Sequence, residues 1–137
     1  MDTVPGFSIK SGLFHKSKAP VFYKDDYGYL YPPLIEGIED VEQYNKGLLF
    51  DFSGIYLGKP ALRSARALIS KLSAMEIWLY SGVRDLDDLI DAVVLEPKSA
   101  FVSTATAQSL KDMKEMFEAA EIAALAIDMD SKGNIIW

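Results

Sequence analysis

The sequence predicts an α/β fold of about five mainly parallel strands and four helices, gathered in one domain over residues 1–137. Three observations carry this. Residues 77–80 are a short, β-rich apolar run; Ser81-Gly82 is a turn; Asp85 can cap a helix whose apolar positions are Leu86, Leu89 and Ile90. The unit recurs downstream, where Ala100-Phe101-Val102 ends in Ser103-Thr104-Ala105-Thr106-Ala107 and passes into a helical run over 108–120. The later strand candidates also lack in-out alternation, as expected of parallel strands covered on both faces.

Taken in order, residues 4–9 are a first short strand, and Ser11-Gly12 is a turn. Residues 13–23, carrying His15, Lys16 and Lys18, continue as a hairpin or an irregular excursion. The aromatic, proline-bearing stretch 27–33 reads as extended edge structure or loop. Helical character begins near Ile38 and Val41 and ends at Lys46-Gly47, where glycine suits a C-terminal cap. Residues 48–52 form the next strand, closed by Ser53-Gly54 and followed by the loop Gly58-Lys59-Pro60. Leu62, Ala65, Leu68, Ile69 and Leu72 then recur at helical spacing over 61–72. After the strand at 77–80 come a helix at 85–92, a strand through Phe101-Val102, a helix at 109–119 and a buried-type strand at 123–129 bearing Asp128. Residues 131–134 form a turn, and 135–137 begin an extended return. A doubly wound sheet and part of a (βα)8 barrel both satisfy this order.

Composition narrows the functions. Half of the 137 residues are apolar, enough for one packed core. The net charge of −6, from 20 acidic against 14 basic residues with no basic run, gives no electrostatic footprint for nucleic acid. Any phosphate recognition must therefore be local. The absence of cysteine excludes disulfides, thiolate metal sites and cysteine nucleophiles. No cluster has metal-ligand spacing and no motif calls for a cofactor. No apolar run approaches membrane-spanning length and the N-terminus has no leader pattern, so a cytoplasmic protein is the expectation.

Several fragments, in order, resemble the HisA/HisF-like histidine-biosynthesis barrel family. Val4-Pro5-Gly6-Phe7-Ser8-Ile9-Lys10-Ser11-Gly12 is similar to the family's first strand, I-P-x-I-D-L-K-x-G, with Ser8 in place of the aspartate. Leu49-Phe50-Asp51-Phe52-Ser53-Gly54 resembles the second strand, and Ser81-Gly82-Val83-Arg84-Asp85 the turn after the third, G-G-I-R-S. Phe101-Val102-Ser103-Thr104 is similar to the fourth strand, V-I-x-G-T, and residues 126–133 to the fifth, S-I-D-x-x-x-G. The resemblance implies a partial TIM-type (βα) barrel covering the first half plus strand five. It also implies a phosphate site at strands three and four.

The family isomerase converts an aminoaldose phosphate to an aminoketose phosphate, using carboxylates at the ends of strands one and five as acid and base. The resemblance assigns these places to Ser8 and Asp128. A serine hydroxyl is a poor general base at neutral pH, so ligand binding or assembly is favoured over an isomerase-like or lyase-like reaction. Asp51, on the neighbouring strand end, is the carboxylate that can stand in. The phosphate-binding candidates are Ser81, Gly82, Ser103 and Thr104, with Arg84 either adding charge or pairing with Asp87 or Asp88. Asp128 and Asp51 have a plainer reading as turn caps, Asp128 through the amides of Ser131 or Gly133. His15, the single histidine, reads as an exposed loop residue, and Phe22, Tyr23, Tyr27, Tyr29 and Tyr31 as a covering layer or subunit contact. A half-barrel leaves open sheet edges, so a second reading is a non-catalytic subunit that forms a homo-oligomer or joins a complementary half-barrel chain. A third, implied only by where related proteins occur, is methanopterin- or furan-type cofactor synthesis.

Overall fold

The computed structural model describes residues 6–10 and 13–17 as backbone strands and residues 45–137 in full. The extended stretch expected at 27–33, most of the helix expected at 38–46 and the aromatic group from Phe22 to Tyr31 lie outside the described residues.

The chain begins with β1 (Gly6–Lys10) and β2 (Leu13–Ser17), an antiparallel hairpin with Ser8 opposite His15. β3 (Lys46–Asp51) runs into α1 (Phe52–Leu57), and α2 (Leu62–Lys71) leads to β4 (Glu76–Tyr80). α3 (Leu86–Val93), β5 (Ser99–Ser103), α4 (Leu110–Ala119) and β6 (Ala123–Ala126) follow. The sheet order is β2-β1-β3-β4-β5-β6. β3 to β6 are all parallel, β1 extends them in parallel, and only β2 runs antiparallel. The α/β class and the parallel sheet match the expectation, and three of the expected helices appear as α2, α3 and α4; α1 was expected as a turn, and the helix expected at 38–46 falls mostly outside the described residues. Among the described residues the strands number six, because the stretch after Gly12 pairs as a regular strand.

Neighbours in sequence are neighbours in the sheet from β3 to β6, with a helix in each crossover. Right-handed crossovers advancing in one direction set all their helices on one face. The packing agrees. Leu49, Ile77, Leu79, Ala100 and Val102 meet Ala65, Leu68 and Leu72 of the α2 region, Leu89 and Ala92 of α3, and Met116 of α4 in one buried cluster. Strand alternation sends Phe50 and Tyr80 to the opposite face, where they pack with Phe52 and Ile55 of α1 and with Leu48, Phe101 and Ala126. Phe50 and Tyr80 stack at a centroid separation of 5.6 Å, and Phe101 tilts against Tyr80 at 6.0 Å. The described strands form an open sheet, with β2 along the outer edge of β1 and β6 at the other end.

Three boundaries differ from the sequence reading. Lys46 and Gly47, expected to end and cap a helix, instead open β3, where they pair with Glu76 and Ile77 of β4. The strand expected over 48–52 ends at Asp51, and Phe52-Ser53-Gly54 opens a helix instead of a turn. The cause is Asp51 itself, whose carboxylate accepts from the Gly54 amide at 3.1 Å and supplies the N-cap. β6 stops at Ala126, short of Asp128. Beyond it the chain returns on itself as expected: Met129 bridges Ile135 antiparallel, and the Ile136 amide donates to the Asp128 carbonyl at 2.8 Å. The α3 and α4 starts follow the sequence closely. Asp85 accepts from the Asp88 amide at 3.0 Å, and Ser109 accepts from the Asp112 amide at 3.0 Å.

Candidate functional site

Ligands of parallel sheets with helical crossovers gather at the C-terminal ends of the strands. That rim is formed here by Asp51 at the end of β3, Tyr80 and Ser81 at the end of β4, Ser103 and Thr104 at the end of β5, and Asp128 just past β6.

The rim holds one carboxylate cluster. Asp128 is 1% exposed, and its Oδ2 accepts from the Tyr80 phenol at 2.5 Å and from the Ser103 hydroxyl. Tyr80, Phe101 and Ser103 sit on the same face by alternation and register, so three successive strand ends converge on one group. The Ser103 oxygen also accepts from the Ala105 amide at 3.0 Å, fixing its position. Burying a carboxylate without donors costs several kcal/mol; hydroxyl donors on a charged acceptor offset about 1.5–3 kcal/mol each. The turn that Asp128 was expected to cap is instead held by Asp130, which accepts from the Lys132 amide at 2.8 Å and the Asn134 amide at 2.9 Å. The Asn134 amide first, then the Asn134 side chain and the Lys132 amide, hold the Asp130 carboxyl below the usual carboxylate range.

Thr104 follows Ser103 directly, at the end of β5. Its amide donates to the Ala126 carbonyl at 3.1 Å, but its buried Oγ1 has no hydrogen-bond partner among the described residues. Such a hydroxyl costs about 1–3 kcal/mol. Among the described residues it is the one buried side-chain donor without a hydrogen-bond partner.

The other site candidates are placed differently. Asp51 is fully buried and has both oxygens engaged: Oδ1 takes the Gly54 amide, and Oδ2 takes the Ala61 amide at 2.6 Å. It ties α1 to the start of α2, and strand parity gives it the side of Leu49, away from Phe50 and Tyr80. Burial pushes its carboxyl above the usual value, while the amide bonds from Gly54, Ala61 and Ser53 pull the other way. Gly82 has φ +74° and packs against Gly54 and Ile55, so the close approach its missing side chain permits is to α1. Ser81 is buried, with its carbonyl against Gly54. Ser8 is in register with Phe50 through the β1–β3 ladder, which sets its backbone on the sheet line leading to the rim.

Arg84 neither points to a ligand nor pairs with an acidic side chain of α3. Its Nη1 donates to the carbonyls of Gly54 at 3.0 Å and Gly82 at 2.7 Å, and its Nη2 to that of Ile55 at 3.2 Å. The backbone amide of Arg84 is what meets Asp88, at 3.1 Å. The guanidinium therefore fastens α1 to the β4–α3 turn. The local sequence conceals this, because the carbonyl acceptors at 54 and 55 are distant in the chain.

No protein-family model and no curated protein matches this chain. Its functional reading therefore rests on the residues. Tyr80 is the member of the cluster that sequence reasoning missed. The signal was present, since the phenol closes an apolar strand whose alternation points residues 78 and 80 to the face opposite Leu79. No group of metal-ligating side chains occurs among the described residues, and no helix there is long and apolar enough to cross a membrane.

Proposed function

We propose that this chain is a relative of the HisA/HisF-like barrels that binds a phosphorylated small molecule at the C-terminal rim of β4, β5 and β6. One observation carries the reading: where three parallel strands end, a buried carboxylate is held by two hydroxyl donors, and the residue after one of those donors has a buried hydroxyl with no partner among the described residues. Thr104 would donate to the phosphate. Asp128, oriented through Oδ2 by Tyr80 and Ser103, would face the reacting carbons as the proton-transfer group. Asp51 is committed to the α1 and α2 amides, so the second carboxylate of the family reaction is not supplied from that strand end. This favours binding over family-type isomerisation.

Titration with inorganic phosphate and ribose 5-phosphate, followed by amide NMR, tests the site. Thr104 and its neighbours should shift at millimolar ligand. Thr104→Val, close in shape, should weaken phosphate binding about tenfold while raising stability by roughly 1 kcal/mol, because it removes an unsatisfied hydroxyl. Unchanged binding in that variant, or no amide shift with either ligand, would end the proposal.

A second reading, a half-barrel subunit completed by a copy of itself or by a complementary chain, is favoured by β6. This strand ends the sheet, consists of Ala123, Ala124, Leu125 and Ala126, and carries no charge or proline to discourage edge pairing. Leu125 and Ile127 are 50% and 52% exposed on the side that helices cover elsewhere. Light scattering after size-exclusion chromatography should then report a dimer at micromolar concentration, and Leu125→Lys should return it to a monomer. A monomeric parent protein would rule out self-assembly.

A further inference from the structure

The opposite end of the strands carries a second candidate site. A cavity of about 660 Å³ opens at the N-terminal ends of β4 and β5, beneath the C-terminal ends of α2 and α3. Its volume falls in the range of small-molecule sites. Its walls are aliphatic where Ile69, Met75, Ile77 and Leu95 line it, and charged where Arg66, Glu76, Glu96 and Lys98 do. A smaller cavity of about 430 Å³ between α2 and α3 shares Arg66 and Leu95 with it.

The charges at the mouth are not equivalent. Glu76 is met by both Lys46 and Lys98 at 4.0 Å. Arg66 and Glu96 have no ion-pair partner among the described residues, although both line the cavity. Arg66 and Ser70 stand one turn apart on α2, so one helix face offers a guanidinium and a hydroxyl to the same space. Glu96 adds an independent sign. It has φ +59°, the only non-glycine in the left-handed region among the described residues, at a position after a helix where glycine or asparagine is usual. A side chain at such a φ carries strain, and strain of this kind concentrates where a side chain is used.

We propose that this cavity binds a zwitterion with an apolar body, of the amino-acid class, placing its carboxylate on Arg66 and its ammonium group on Glu96. Both side chains are exposed, and a simple anion would engage Arg66 alone or a simple cation Glu96 alone, whereas a zwitterion engages both. An apolar body fills the aliphatic wall. The site lies at the far end of the strands from Asp128 and Thr104, so it stands or falls separately from the phosphate proposal.

Amide NMR of the full chain with three matched probes tests this: L-tryptophan, indole-3-propionate, which lacks the amine, and tryptamine, which lacks the carboxylate. Tryptophan should move the amides of Met75, Ile77 and Leu95 and leave Thr104 in place, and each half-probe should bind about tenfold more weakly. Glu96→Gly relieves the backbone and should raise Tm, yet it should abolish the preference for tryptophan over indole-3-propionate. Arg66→Ala, at an exposed position, should abolish the preference over tryptamine. The proposal is overturned if tryptophan moves none of these amides at its solubility limit. Equal binding of the three probes, or variants that leave the preferences intact, overturns it as well.

Discussion

Gly54→Ala is expected to destabilise the fold by about 3–5 kcal/mol, read as a fall in the urea midpoint with an unchanged slope. An ideal Cβ at position 54 would stand 2.1 Å from the Ser81 carbonyl oxygen and 3.1 Å from its carbon. From the other side, a Cβ at Gly82, where φ is +74°, would stand 2.7 Å from the Gly54 oxygen and the Ile55 Cα. The nearest obstacles are backbone, which cannot rotate aside, and the Pro60 Cβ, 3.2 Å from the point at Gly54, is held in its ring. Relief requires α1 to move off the β4–α3 turn, and that movement breaks the Arg84 bonds to the Gly54 and Ile55 carbonyls. Helix propensity argues the reverse, since alanine is favoured over glycine inside a helix by about 1 kcal/mol. The sign of the measured change therefore decides between the two effects. Any stabilisation by Gly54→Ala would show that the α1 contact is loose.

Asp51→Ala should cost about 2–4 kcal/mol, because the buried amides of Gly54 and Ala61 lose the carboxylate that accepts from them. Asp51→Asn should cost less: its oxygen retains one amide, while its NH2 group confronts the other. The pH dependence separates Asp51 from the remaining carboxylates. Burial raises its folded pKa above the ordinary 3.8, so the folded chain holds this proton more tightly than the unfolded chain does. Its contribution is fully present below pH 3.8 and declines as pH rises through the higher folded value. Urea midpoints of wild type and Asp51→Asn should thus converge across the range just above pH 3.8. Asp130 has the opposite sign. With its pKa lowered by the turn amides, its contribution is present above the ordinary value and lost as pH falls through the lower one. An Asp51→Asn variant whose stability parallels wild type at every pH would show that burial does not perturb this carboxyl.

Much of the architecture was legible because its causes are local. Apolar spacing at 62, 65, 68 and 72, the caps Asp85 and Ser109, and the uninterrupted strand at 77–80 each depend on neighbours within a few residues. The helix α1 was not legible. Ser53-Gly54 carries the signature of a turn, and glycine is accepted in that helix only because the Ser81 carbonyl occupies the place of a side chain. The same contact explains Gly82, whose sequence context suits a phosphate loop equally well.

The candidate site divides along the same line. The sequence by itself determined an acidic α/β chain with small and hydroxyl residues after its parallel strands, and it put Asp128, Ser103 and Thr104 at strand ends. Only the tertiary structure decided what those groups do. It joined Tyr80 and Ser103 to Asp128 across 48 and 25 residues of chain, committed Asp51 to two helix amides, and turned Arg84 onto carbonyls some 30 residues earlier. Composition and spacing report which donors and acceptors a segment owns. Which of them remain available depends on bonds between segments that meet only when the sheet has formed.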